Sequence, residues 1–142
     1  MDALDVVHTD AAFGQASPDF ARTDRSAQRI LLPLIARGVI PVVPGYIGAT
    51  PGGDVATLGR GGSDLTATLL ARALAATRVS LWKDVPGLLT ADPRVVPDAR
   101  VIPQLHAREA AELAYYGAKV LHPRALIPLA GRRIPILVRP FD

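Results

Sequence analysis

The chain has 142 residues, of which 49% are apolar and 20% charged, with a formal charge of +3 and no cysteine. That suffices for one domain with its own core and is too apolar for wholesale disorder. Disulfides and thiolate metal sites are excluded, and no apolar run is long enough to span a bilayer. The basic residues are scattered, with only Arg132 and Arg133 adjacent, and aromatics make up 5% of the chain. Neither a basic stripe nor a stacking platform for nucleic acid emerges. Met1–Asp5 lacks the regions of a signal peptide, so a cytoplasmic location is expected. His8, His106 and His122 have no metal-ligand spacing and read as structural.

In chain order, Asp5–His8 reads as a strand, followed by a loop from Ala12 to Asp19 that contains Gly14 and Pro18. Thr23 or Asp24 is placed to cap a helix through Ile35, with Ile30, Leu31, Leu34 and Ile35 at helical spacing and Gly38 as its stop. Val39–Val43 reads as a buried strand that delivers Gly45 at its end. Thr50–Asp54 is a strong turn signal, so Ile47–Ala49 and Val55–Leu58 are expected to form a hairpin. A helix from Asp64 to about Ala76 is apolar over most of its circumference, with Thr66 and Arg72 the main polar interruptions, and should pack tightly against a sheet.

Arg78–Trp82 reads as the next strand, and a short extended piece lies at Val101 and Ile102. His106–Tyr116 reads as a helix with an Arg108–Glu112 pair at i,i+4, ended by Gly117. Pro123–Ala130 reads as a short helix with Gly131 beyond it, and Ile134–Val138 as a closing strand. Strands alternating with helices predict an α/β protein with a mainly parallel sheet.

The stretch Leu58-Gly59-Arg60-Gly61-Gly62-Ser63-Asp64 carries the chemistry. Glycines let the backbone approach an anion closely, and Arg60 offers a planar fork that matches a carboxylate or a phosphate. Ser63 or Asp64 is placed to cap the following helix, whose N-terminus is itself an anion site. The stretch departs from both the dinucleotide fingerprint, since Asp64 stands where its last glycine would be, and the P-loop.

With Gly45-Tyr46-Ile47-Gly48-Ala49-Thr50, the run from Trp82-Lys83-Asp84-Val85 to Asp92-Pro93-Arg94, and Gly117-Ala118-Lys119-Val120-Leu121-His122-Pro123, it resembles the aspartokinases of the amino acid kinase family. Those enzymes carry segments of the types GFIGAT, TLGRGGSD, W(T/K)DVxGxxTxDPR and GAKVLHP in this order. The resemblance runs from about Val6 to Arg139.

It implies a three-layer α/β/α sandwich and transfer of the γ-phosphoryl group of ATP, taken as its magnesium complex, to the β-carboxylate of L-aspartate, in the biosynthesis of the aspartate-derived amino acids. By the same resemblance Arg60, Gly61, Gly62 and Ser63 hold the aspartate, with the ring of Tyr46 over the pocket, and Asp64 orients active-site cations. The alternative for Asp64 is a helix cap. Lys83, Asp84, Leu89, Arg94, Lys119 and Val120 match positions bordering ATP. The Lys83 ammonium reaches phosphate or else points to solvent. Leu89 departs from the Tyr of some members. Trp82 is expected in the core, His122 packed and bonded to the turn after it, and Asp92 as the start of a turn.

The family's Lys-Phe-Gly-Gly-type motif and its ACT domains do not occur in this sequence, whose Thr9–Gly14 matches the family's Thr-Asp-x-x-Phe-Gly segment. Residues 1–142 are therefore expected to be the C-terminal lobe of an aspartokinase catalytic domain, inactive in isolation and part of a homo-oligomer. A non-catalytic nucleotide-binding or assembly module, and another amino acid kinase such as glutamate 5-kinase, are the alternatives.

Overall fold

A computed structural model describes residues 1–115 and 120–141. Four strands, three α-helices and a 3-10 helix alternate along it: α1 (Phe20–Ala36), β1 (Ile47–Ala49), β2 (Val55–Thr57), α2 (Gly62–Ala73), β3 (Val79–Lys83), α3 (Ala107–Tyr115), the 3-10 helix Pro123–Leu129 and β4 (Ile136–Pro140). β1 and β2 form the expected hairpin, with Gly48 opposite Ala56, and the Thr50 hydroxyl accepts from the Asp54 N–H at 3.1 Å to close its turn. β3 and β4 run parallel, with Leu81 opposite Val138, and a parallel bridge joins His8 to Ala49. The α/β layering is the expected one, in two short ladders among the described residues.

α1 starts ahead of both expected caps. Asp19 holds the N-cap, its carboxylate accepting from the Arg22 N–H at 2.9 Å. Thr23 and Asp24 lie inside the helix and do other work: the Thr23 hydroxyl accepts from the His8 N–H, and Asp24 pairs with Arg72 of α2. At the other end Gly38, at φ 76°, accommodates a Schellman turn: Gly38 N–H donates to Ile35 O and Val39 N–H to Leu34 O.

Two expected strands are absent. Residues 4–6 turn instead, because Val6 and Val7 both donate their N–H to Ala3 O, which leaves only His8 and Thr9 to bridge. Val39–Val43 joins no strand ladder among the described residues, with Ile40 87% and Val42 77% exposed. Pro41 carries no N–H to give to a ladder.

α2 is the centre of the packing. Leu65 and Leu69 join Val7 and Leu58 in one cluster; Ala73, with Leu70 and Leu74, meets Val6, Ala27 and Leu31 in a second; Ala71, with Ala67, meets Val79, Leu81, Leu121, Ala125 and Leu129 in a third. The expected packing against a sheet is met only in part: β3 supplies Val79 and Leu81, α1 and the 3-10 helix cover much of the rest, and Arg72 turns to Asp24 of α1. The helix ends before Ala76, at Leu74, after which Ala75 turns left-handed at φ 49°. Gln28 of α1 donates to Ala73 O at 2.9 Å and so satisfies a terminal carbonyl of α2.

In α3, Arg108 and Glu112 form no ion pair; the helix is stabilised at its start, where Glu109 reaches back to the His106 N–H at 2.8 Å. The 3-10 helix is capped by His122, whose Nδ1 accepts from the Arg124 N–H, which is the bond to the following turn that the sequence suggests. Trp82 departs from expectation. It is 55% exposed, because the inward positions of β3 are taken by Val79 and Leu81 and the alternation turns Trp82 outward. No helix among the described residues is long and apolar enough to cross a membrane.

Since Asp19 is the only side chain that caps α1 at its start, Asp19→Ala should lower the unfolding free energy by about 1 kcal/mol. Asp24→Ala should act through the Arg72 pair instead. Urea denaturation of each variant measures both effects, and an unaffected Asp19→Ala protein would contradict this N-cap.

Candidate functional site

Between β2 and α2 the backbone makes a turn without Cβ atoms at its critical points. Gly59 and Gly61 both sit at φ 73°, and Gly62 N–H donates to Gly59 O. Gly61 is the N-cap of α2, with no side-chain hydrogen bond of its own. Neither Ser63 nor Asp64 caps the helix, contrary to the sequence reading, because both already lie in its first turn. No acceptor within the described residues takes the N–H groups of Ser63 and Asp64. Two unpaired donors at a helix N-terminus favour an anion.

The glycines are also required by close packing. A Cβ on Gly62 would lie 2.8 Å from Cδ2 of the Tyr46 ring, and one on Gly61 would lie 2.4 Å from Cβ of His122. A Cβ on Gly45 would lie 3.0 Å from Cα of Ser63. Tyr46 itself holds a left-handed backbone at φ 77°. Its N–H donates to the Thr66 hydroxyl at 3.1 Å and its carbonyl accepts from Leu58 N–H at 2.8 Å. Such a conformation costs a non-glycine residue about 1–3 kcal/mol and persists where surroundings over-determine it.

Tyr46, Gly59, Arg60, Gly61, Gly62, Ser63, Asp64 and Lys83 line one open cavity of about 370 Å³. The fold thus gathers every residue expected at the aspartate pocket, and adds Lys83 from the end of β3. The Lys83 ammonium does not simply point to solvent: it grips Asp64 through both carboxylate oxygens, at 2.7 and 2.9 Å. Both side chains are largely shielded, at 24% and 16% exposure, so solvent screens the pair less than an open surface pair. Asp64 is thereby neutralised, and among the described residues the exposed Arg60 guanidinium is left as the uncompensated charge of the cavity. The pocket is built to accept an anion.

The other residues expected near a nucleotide do not line this cavity. Asp84 is exposed, and Leu89 and Val120 are half-buried. Arg94 is held at the surface by both oxygens of Asp92, which raises its already high pKa through that hydrogen bond and charge. Asp92 also starts the expected turn, with Val95 and Val96 donating to its carbonyl. Lys119 lies outside the described residues. Among the described residues no group of three or more His, Cys, Asp or Glu is gathered as a metal site. Sequence reasoning missed Arg124, whose guanidinium bonds two backbone carbonyls beneath the glycine turn. Only its place directly after the His-Pro of the last motif pointed there.

The sequence pattern of the amino acid kinase family matches residues 2–140. The chain is 48% identical over 137 residues to the lysine-sensitive aspartokinase 3 of Escherichia coli, covering 96% of this chain and 30% of that protein. It is 50% identical over 101 residues to the chloroplastic aspartokinase 2 of Arabidopsis thaliana, covering 70% of this chain and 19% of that one. The chain therefore spans less than a third of the length of these relatives. The crystal structure of E. coli aspartokinase III in complex with aspartate and ADP, in its R-state, superposes with a TM-score of 0.93 at 47% identity, over 99% of this chain and 31% of that one. The T-state complex of that enzyme with lysine and aspartate superposes at 0.84, with 48% identity, over 97% of this chain and 31% of that one.

Because Lys83 and Asp64 neutralise each other away from bulk water, Lys83→Ala should destabilise the protein by about 1–3 kcal/mol, the cost of an unpaired charged group. The Lys83→Ala/Asp64→Ala double variant should recover part of that loss. A urea-denaturation double-mutant cycle measures the coupling, expected at about 0.5–3 kcal/mol; additive losses would mean the pair contributes nothing.

Proposed function

The chain belongs to the amino acid kinase family, and we propose that it is the C-terminal, nucleotide-binding lobe of an aspartokinase, which phosphorylates the β-carboxylate of L-aspartate with ATP. The observation that carries this reading is the anion pocket: the Arg60 fork, two open amides at the start of α2, and an acidic neighbour already neutralised by Lys83. The likeness to an aspartokinase complexed with aspartate and ADP supports it.

In the transfer a carboxylate oxygen of aspartate attacks Pγ, the bond from Pγ to the ADP oxygen breaks, and ADP and 4-phospho-L-aspartate result. The acceptor is already ionised, so no base has to remove a proton. What the protein must supply is alignment of two anions and relief of their repulsion. Arg60 forks onto a carboxylate of the acceptor, the Ser63 and Asp64 amides and the Ser63 hydroxyl take its other oxygens, and Tyr46 covers it. Lys83 keeps the Asp64 charge from opposing them. Without that partner a carboxylate here would repel both substrates.

ATP would enter as its magnesium complex, the cation supplying charge neutralisation to the phosphates. The donors of the pocket suit an anion and not a bare cation. Lys83, Asp84, Leu89, Arg94, Lys119 and Val120 border the nucleotide in this reading; Arg94 divides its donors between Asp92 and a phosphate when it engages one. The reading includes a homo-oligomer in the cytoplasm, and the exposed apolar side chains of Ile40, Val42 and Phe141 support burial of further surface.

The test is formation of aspartyl hydroxamate from ATP, aspartate and hydroxylamine by the natural full-length protein, with glutamate as the control acceptor. Aspartate is expected to be used and glutamate not; the reverse would make the protein a glutamate kinase. In the same assay Arg60→Ala should raise the aspartate KM about tenfold or more and the ATP KM little, since a charged hydrogen bond contributes about 1.5–3 kcal/mol. A change confined to the ATP KM would assign the glycine turn to the other substrate.

A further inference from the structure

Arg124 gives its guanidinium hydrogen bonds to two neutral backbone carbonyls. Its Nη1 donates to Leu58 O at 2.5 Å and its Nη2 to Ala16 O at 2.8 Å. Leu58 and Ala16 are both fully buried, and Leu58 directly precedes the Gly59–Arg60 turn. Ala16 belongs to a loop that is itself cross-braced: one Asp10 carboxylate oxygen accepts from Ala12 and Ser17 N–H, each at 3.0 Å, and Ala16 N–H donates to Thr57 O at 2.9 Å. Those amide donors, Ala12 first, hold the Asp10 carboxyl below the usual carboxylate range. The same loop meets the glycine turn directly, since a Cβ on Gly59 would lie 3.0 Å from Gly14 O.

His122 in turn presses on Gly61, where a Cβ would come within 2.4 Å of its own Cβ. The Arg124 N–H donates to His122 Nδ1 at 3.3 Å and so orients the ring. Leu121 and Ala125, which flank this pair, are buried in the cluster under α2. The base from which both side chains reach out is therefore fixed by the core.

We propose that Arg124 and His122 are positioning residues that clamp the Gly59–Gly62 turn and thereby aim Arg60, without touching the bound anion. Three contacts make the clamp: the Asp10–Ser17 loop against Gly59, His122 against Gly61, and Arg124 tying Leu58 to Ala16. A guanidinium reaches both carbonyls because its donors diverge from one rigid plane; an ammonium on a flexible stem reaches one. Loss of the clamp frees the turn to drift, and a small displacement of Arg60 suffices to weaken an aligned substrate.

The proposal rests on the assignment of the turn to aspartate, and the experiment separates the two. Steady-state kinetics of the natural full-length protein are compared for wild type, Arg60→Ala, Arg124→Ala and Arg124→Lys, each with a thermal melt. Arg124→Ala is expected to raise the KM of whichever substrate Arg60→Ala affects by about tenfold, leaving the other within about twofold, and Arg124→Lys to fall between it and wild type. If Arg60→Ala moves only the ATP KM, the assignment to aspartate fails, and Arg124→Ala must then follow onto ATP for the clamp to stand. Equal rises in both KM values with a lowered Tm would mean a merely structural arginine and overturn the proposal. So would an unchanged KM in folded Arg124→Ala or, should that variant not fold, in folded Arg124→Lys.

Discussion

Helix α2 has no solvent face to spare, and that constraint organises the molecule. Three separate apolar clusters close on it, built from α1 and the N-terminal turn, from the β2 end, and from β3 with the 3-10 helix. A helix held this way has little freedom to slide or rotate, because a shift on one side opens a void or a clash on another. Its N-terminus is therefore a fixed point. The open amides of Ser63 and Asp64 sit there, so the rigidity of the core becomes precision at the pocket.

The approach to that fixed point is made of glycine for two independent reasons. Gly59 and Gly61 turn left-handed, and Gly61 and Gly62 lie where a Cβ would strike His122 and Tyr46. Either reason alone would tolerate some substitution; together they do not. Tyr46 shows the same economy from the other side. It accepts a strained backbone because its N–H and carbonyl are both taken, by Thr66 and Leu58.

Charge in the pocket is arranged by a strand that the glycine motif does not contain. Asp64 would oppose any anion placed beside Arg60, and Lys83 arrives from the end of β3 to hold it with both oxygens. The cavity then presents one free guanidinium, two amides and a hydroxyl, which together suit a carboxylate or a phosphate. Asp92 and Arg94 form a comparable pair, but at the surface, where solvent screens it.

The sequence by itself determined whatever depends on neighbours along the chain. Gly38 ended α1, Thr50–Asp54 made the hairpin, His122 and Pro123 opened the 3-10 helix, and the glycines with Arg60 marked the anion pocket. These are local effects: backbone angles, caps and periodicity act within a few residues. Only the tertiary structure decided the rest. Val39–Val43 has a strand's composition but no partner strand among the described residues, and Trp82 is apolar but falls on the outward side of β3. Lys83 closes on Asp64 across 19 positions and Arg124 on Leu58 across 66. Pairing, facing and long-range charge depend on which segments the packing of α2 brings together, and no local pattern encodes that.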